Sequence, residues 1–316
     1  PPPVPVAPPP PMPGQGGGLP DAFDSGQGTD VGANYQLTTG IGDGNVDVQG
    51  VSATGNFFAA IFDPIGAIGP ADTSFGTDVY FRQTLSGTGS RMTFDAAAQN
   101  VSTIRGNNNL EANSTFTIGN LSFALTQQLV QTFDVTNTQD GSLLIQSYRI
   151  TNTGTSVEEL DLVRYWDADL SFDFDLNDGG GRVISSANDE ILFEEEQGQI
   201  GSSATTFVGI TGRGGTEPMP GRFEINRFPT LLFDLGTGLA LQDTILNDGD
   251  GDGFIDPGQE FNVTLALANL FTITPGSTEL YTTHTLFGNG IPNNIGPVNM
   301  PPVAVDDTTG NQTFGT

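Results

Sequence analysis

Along 261–268, Phe261, Val263, Leu265 and Leu267 alternate with Asn262, Thr264, Ala266 and Ala268. A period of two puts successive side chains on opposite faces of an extended chain, so this segment reads as a half-buried strand. The period recurs in Phe116/Ile118 leading to Leu121/Phe123/Leu125, in Leu144 to Ile150, in Leu160/Leu162 against Glu159/Asp161, and in Tyr281/Thr283/Thr285/Phe287. Turn-forming residues separate these runs at Asn137 to Gly141, Asn152-Thr153-Gly154, Asn177 to Gly181 and Pro275-Gly276. No helix is expected beyond a turn near Asp95 to Gln99. Many strands at short spacing predict an all-β chain: a large antiparallel β-sandwich over 21–299, with a Pro-rich arm at 1–20 and a short tail at 300–316.

Charge narrows the partners of such a sandwich. The chain carries 37 acidic residues against 9 basic ones, all arginine, for a net charge of −28. Only 15 % of residues are charged, so the acidity comes from missing cations more than from crowded carboxylates. Without a basic cluster, nucleic acid and anionic membranes are excluded as partners, because phosphate binding needs Lys or Arg to release counterions. The absence of Cys removes thiol catalysis, thiolate metal sites and disulfides. With one histidine, His284, a His-rich zinc site is excluded and a catalytic triad has a single candidate. No Ser in a nucleophile-elbow context accompanies it, and the strand pattern makes it a strand-face residue, opposite in phase to Tyr281 and Thr283. No enzymatic activity is expected.

No apolar run reaches the 18 or more residues that span a bilayer, the richest being Phe57 to Phe62. The chain starts at Pro1, which makes a processed product or a piece of a longer polypeptide the expectation. Residues 1–20, PPPVPVAPPPPMPGQGGGLP, read as polyproline II closing in a flexible hinge, either an inter-domain linker or an arm that docks on a neighbouring subunit. Near the other end, Pro301-Pro302-Val303-Ala304-Val305-Asp306-Asp307 resembles the opening of the tandem cadherin-like and Ig-like repeats of bacterial adhesins. That resemblance implies a linker or the first strand of a following repeat over 300–316. The stretch Leu121 to Leu170, with Ile150-Thr151-Asn152-Thr153-Gly154 followed by Asp167-Ala168-Asp169, resembles secreted bacterial β-sandwich domains, including the galactose-mutarotase-like supersandwich. It implies an architecture and not a reaction.

The strongest chemical motif is Asp248-Gly249-Asp250-Gly251-Asp252-Gly253-Phe254-Ile255-Asp256-Pro257-Gly258-Gln259-Glu260. It resembles the EF-hand-type calcium loop, with carboxylates at loop positions 1, 3 and 5, Gly253 at the sharp turn and Ile255 at the apolar position. Ca²⁺ takes six to eight hard oxygens, and alternate residues of a tight loop turn theirs inward. The expected ligands are Asp248, Asp250, Asp252 and Asp256, the backbone carbonyl of Phe254, and Glu260. Gln259 stands where the resemblance would place a bidentate Glu, and a strand follows instead of a helix. This implies a strand-linking calcium loop and not a sensor; the alternative is a solvated Asp-Gly turn.

A second acidic group, Asp167, Asp169, Asp173, Asp175 and Asp178, surrounds Trp166, Phe172 and Phe174. Strand spacing puts Asp167, Asp169, Asp173 and Asp175 on one face, where a cation would relieve their repulsion. The readings are a solvated strand end, a second Ca²⁺ site, or a paired-carboxylate glycosidase site with Glu190 or Glu194 and Trp166 as a sugar platform. Glu194-Glu195-Glu196 reads as a solvated edge. Sequons at Asn100, Asn113, Asn120, Asn262 and Asn311 leave glycosylation open.

Together these features lead to an extracellular, cell-surface structural protein: a calcium-stabilised module of an adhesin, surface layer or filament that contacts its own copies or neighbouring repeats. The alternative is a carbohydrate-binding or carbohydrate-active β-sandwich, with glycan as partner.

Overall fold

A computed structural model describes residues 76–83, 89–105, 111–133, 139–170, 175–186, 189–196, 206–216, 221–289 and Pro292, with short strand segments between 23 and 72. The expected arm at 1–20 and tail at 300–316 lie outside the described residues, as do Phe172, Asp173 and Phe174.

In chain order the elements are β1 (Phe23–Asp24), β2 (Asn34–Leu37), β3 (Val51–Ser52), β4 (Gly55–Asn56), β5 (Ala60–Asp63), β6 (Ala71–Asp72), β7 (Gly76–Gln83) and β8 (Met92–Thr93). The one-turn α1 (Phe94–Ala97) leads to β9 (Gln99–Arg105), β10 (Glu111–Ile118), β11 (Leu121–Phe133), β12 (Gln139–Asn152), β13 (Glu158–Asp167), β14 (Gly179–Ser186), β15 (Asp189–Glu195), β16 (Thr206–Arg213) and β17 (Phe223–Arg227). Then come α2 (Thr230–Thr237), β18 (Thr244–Ile245), β19 (Val263–Ile273) and β20 (Thr278–Asn289).

The chain is an all-β sandwich of two large sheets. One is eight-stranded, in the order β14-β15-β16-β20-β12-β11-β10-β9, and the other is six-stranded, in the order β18-β17-β19-β13-β7-β8. Every pairing in the first is antiparallel; in the second only β17–β18 is parallel. Smaller pairings join β1-β2-β5-β6 and β3-β4.

Alternation sends one face of each central strand into the space between the sheets. Leu129, Leu144, Trp166, Leu192, Leu267 and Phe287 fill one half of that space, and Leu125, Tyr148, Leu162, Phe271 and Tyr281 fill the other. Between the halves every central strand carries a buried polar residue: Gln127 on β11, Gln146 on β12, Arg164 on β13, Asn269 on β19, Thr283 and Thr285 on β20. Gln146 donates to Gln127 (2.9 Å), Arg164 to the Thr285 hydroxyl (3.3 Å) and Asn269 to the Gly214 carbonyl (2.7 Å). A polar belt, joined in part by these three hydrogen bonds, therefore crosses an otherwise apolar core.

Helix α2 departs from the all-strand expectation. Leu231 and Leu235, one turn apart, are buried against Tyr80, Val163, Tyr165, Ala266 and Ala268 on the outer face of the six-stranded sheet. Gly238, at φ 84°, ends the helix by donating its N–H to the Leu235 carbonyl (3.0 Å), a left-handed cap that glycine adopts without strain. Arg82 and Arg91 hold the carbonyls of Gly238 (2.8 Å) and Leu239 (2.5 Å), and both reach Asp161 at 2.6 and 2.9 Å. Short length and a Thr/Gly-rich sequence hid this helix; its burial, not its propensity, stabilises it.

Candidate metal centre

The chain leaves β18 and rejoins the six-stranded sheet at β19, and the Asp-Gly motif lies in the loop between them. Asn247, at φ 64°, closes the neck of that loop: its side-chain amide donates to the Gln259 carbonyl (2.7 Å) and its own carbonyl accepts from the Asp256 amide (2.9 Å). Inside, Asp248 accepts from the amides of Gly251 (2.8 Å), Asp252 (3.1 Å) and Gly253 (3.2 Å). Asp256 accepts from the Gly249 amide at 3.0 Å. Gly251 and Gly253 adopt φ of 78° and 94°, which lets the chain curl around Asp248.

One carboxylate oxygen each from Asp248, Asp250 and Asp256 lies within 4.8 Å of the others. Two oxygens bound to one Ca²⁺ at 2.3–2.6 Å are at most about 5 Å apart, so this spacing suits a shared divalent ion. Among the described residues this is the one group of three carboxylates so placed. Asp252 and Glu260 stand outside it: an Asp252 oxygen accepts from the Phe254 amide (3.0 Å) and a Glu260 oxygen from the Gly258 amide (2.8 Å). Phe254 lays its ring against Phe193 at 6.0 Å, and its backbone bridges to Gly181.

The second acidic group is divided. β13 ends at Asp167, so the alternation that would align Asp167 with Asp175 stops there. Asp167 is 2 % exposed, whereas Asp175 is exposed and accepts from the Leu176 and Asn177 amides, which holds its carboxyl below the usual carboxylate range. Burial, with the charge of Asp169 adding to it, pushes Asp167 up to about 8, against a smaller opposing influence of the neighbouring Tyr165 hydroxyl. Asp169 rises to about 6 through burial. Glu194 is fully buried and rises well above the ordinary glutamate value, first by desolvation and then through Asp178, with which it also shares a hydrogen bond.

Glu194, Glu195 and Glu196 are all buried, which corrects their reading as a solvated edge. β15 is an interior strand, paired with β14 on one side and β16 on the other. Trp166 is likewise fully buried, edge-on to Phe287 at 5.8 Å with the Arg164 guanidinium 5.3 Å from its ring, and this removes it as a sugar platform. Glu190 is occupied by Arg182 (2.7 Å) and Arg222 (2.8 Å), a clasp for which the sequence held no local signal because its members come from three separate segments. His284 is buried on the face of β20 opposite to Tyr281, a strand-face residue.

No protein-family model matches the chain, and no curated protein does. Among solved structures it is similar to a polysaccharide lyase at 11 % identity, over 68 % of this chain and 26 % of that one, with a TM-score of 0.37. It is also similar to a chain described as a kojibiose phosphorylase from the human microbiome, at 7 % identity, over 86 % of this chain and 34 % of that one, with a TM-score of 0.35. The chain thus spans between a quarter and a third of the length of these neighbours.

Proposed function

We propose that this chain is a calcium-stabilised structural module of an extracellular bacterial surface assembly, such as an adhesin, surface layer or filament. The observation that carries the reading is the convergence of Asp248, Asp250 and Asp256 within 4.8 Å on a loop between two strands. Three carboxylates at that separation repel, and a divalent cation of the extracellular medium converts the repulsion into a crosslink. The ion's chemistry here is charge neutralisation by hard oxygens; the protein's part is the backbone-amide cradle that fixes Asp248 and Asp256. The loop joins two strands, β18 and β19, which supports a structural role for the ion. The arm at 1–20 and the segment Val303–Val305 are the proposed connections to neighbouring copies or repeats.

Isothermal calorimetry with CaCl₂ is the direct test, with a dissociation constant of about 0.1–1 mM expected, the range of extracellular modules. At a hundredfold excess over that constant the ion adds about 2.7 kcal/mol. This raises the melting temperature by roughly 5–10 °C for a domain of this size. Asp250→Asn should abolish both effects. No heat at millimolar Ca²⁺, or a melting temperature indifferent to EGTA, would refute the reading. Glycan binding that survives chelation would favour the carbohydrate alternative instead.

A further inference from the structure

β14 is an edge strand of the eight-stranded sheet: β15 pairs with one side of it, and the metal loop covers the other. The Arg182 amide donates to the Gly253 carbonyl (2.8 Å) and the Ile255 amide to the Gly180 carbonyl (2.9 Å). Asp178 and Phe261 exchange amide-to-carbonyl bonds at 3.0 and 3.3 Å. The covering segment continues directly into β19, which belongs to the opposite sheet. One strap thus ties the edge of one sheet to the other.

The fit depends on Gly181. A Cβ there would lie 2.7 Å from the Gly253 carbonyl oxygen and 2.8 Å from the Phe254 ring, closer than real Cβ atoms come. The Phe254 ring also packs on Phe193 of β15, anchoring the middle of the strap. The first part of this strap is the chain between two of the converging carboxylates: Gly253, Phe254 and Ile255 lie between Asp250 and Asp256, and the rest runs on from Asp256 to Phe261. Repulsion among the carboxylates pulls the two ends of that segment apart, and a bound cation draws them together.

We propose that cation occupancy at Asp248, Asp250 and Asp256 decides whether residues 253–261 stay fastened to the edge of β14, making the loop a metal-controlled latch between the two sheets. The inference rests on the calcium reading above and adds to it a local mechanical consequence. With the latch open, the backbone groups of 178–182 stand at an uncovered sheet edge, the feature that invites strand addition by another chain.

Amide hydrogen exchange on the full chain, in CaCl₂ and in EGTA, tests the latch. The expected result is exchange about tenfold or more faster in EGTA at the Asp178, Arg182, Ile255 and Phe261 amides, with β11 and β12 unchanged. Gly181→Val should reproduce this fast exchange in the presence of Ca²⁺ while calorimetry still registers binding, weakened several-fold. The wild-type comparison stands by itself if that variant fails to fold. Calcium heat without any change in exchange at these four amides overturns the latch and leaves the calcium reading intact. Acceleration spread equally over all strands overturns it too, because that is global destabilisation. An absence of calcium heat overturns both.

Discussion

Asp167→Asn raises the melting temperature by roughly 5–10 °C at pH 8 and changes it little at pH 4. Asp167 ends β13 almost without solvent, beside Asp169 and under the Tyr165 hydroxyl, and titrates at about 8 where an unfolded chain titrates at 3.8. Its folded value lies above its unfolded value, so the folded chain holds a proton that the unfolded chain has released. Stability is therefore complete below about pH 4 and is lost as pH climbs toward 8. Each pH unit of displacement is worth about 1.4 kcal/mol, and relieving half of this one returns about 3 kcal/mol. Asparagine keeps the size of the side chain while never carrying the charge. Calorimetric scans from pH 4 to 9 should show the wild type and variant converging at the acid end and diverging progressively from just above pH 4 until about pH 8. Parallel curves would mean that Asp167 is not the group that titrates.

Glu190→Ala destabilises the fold by about 3–5 kcal/mol, read as the midpoint shift in a urea titration. Glu190 on β15 accepts from Arg182 on β14 with one oxygen and from Arg222 with the other. Arg222 also donates to the Gly212 carbonyl of β16 (2.6 Å) and to the Ala268 carbonyl of β19, so it reaches both sheets. Removing the carboxylate leaves two guanidinium groups facing each other. Arg222, only 10 % exposed, can recover little hydration; Arg182, at 27 %, can recover more, which places the loss toward the lower end of that range. Glu190→Gln retains one acceptor and should lose less. Equal losses for the two variants would show that packing and not charge sets the effect.

The strands were legible because alternation is a local signal. Leu121/Phe123/Leu125 lies in β11, Leu144 to Ile150 in β12 and Tyr281 to Phe287 in β20. The strand expected from Phe261 starts at Val263, since Phe261 is bridged to Asp178 instead. The Asp-Gly loop was legible as well, because its spacing and turn chemistry are written in thirteen consecutive residues; that Asp248, Asp250 and Asp256 converge while Asp252 and Glu260 lie apart depends on how the loop curls, which spacing along the chain does not encode. What stayed hidden depends on distant segments. Three glutamates in a row look solvated until β14 and β16 close on either side, and an aromatic beside aspartates looks like a binding platform until Phe287 and Leu265 meet it inside the sandwich. Gly179, Gly180 and Gly181 read as a turn, whereas they open β14, with Gly181 bare so that the Asp-Gly loop can approach.

The polar belt through the core acts as a key for the alignment of the two sheets. Apolar side chains of similar size on both sides would tolerate a slip of one sheet over the other by two residues, about 7 Å, with little change in buried area. Such a slip would carry Arg164 out of reach of Thr285 and into the ring formed by Leu129, Leu144 and Phe287, stranding a guanidinium among hydrocarbons. Oily contacts supply the attraction between the sheets; the row of Gln127, Gln146, Arg164, Asn269, Thr283 and Thr285 selects the single offset at which they come to rest.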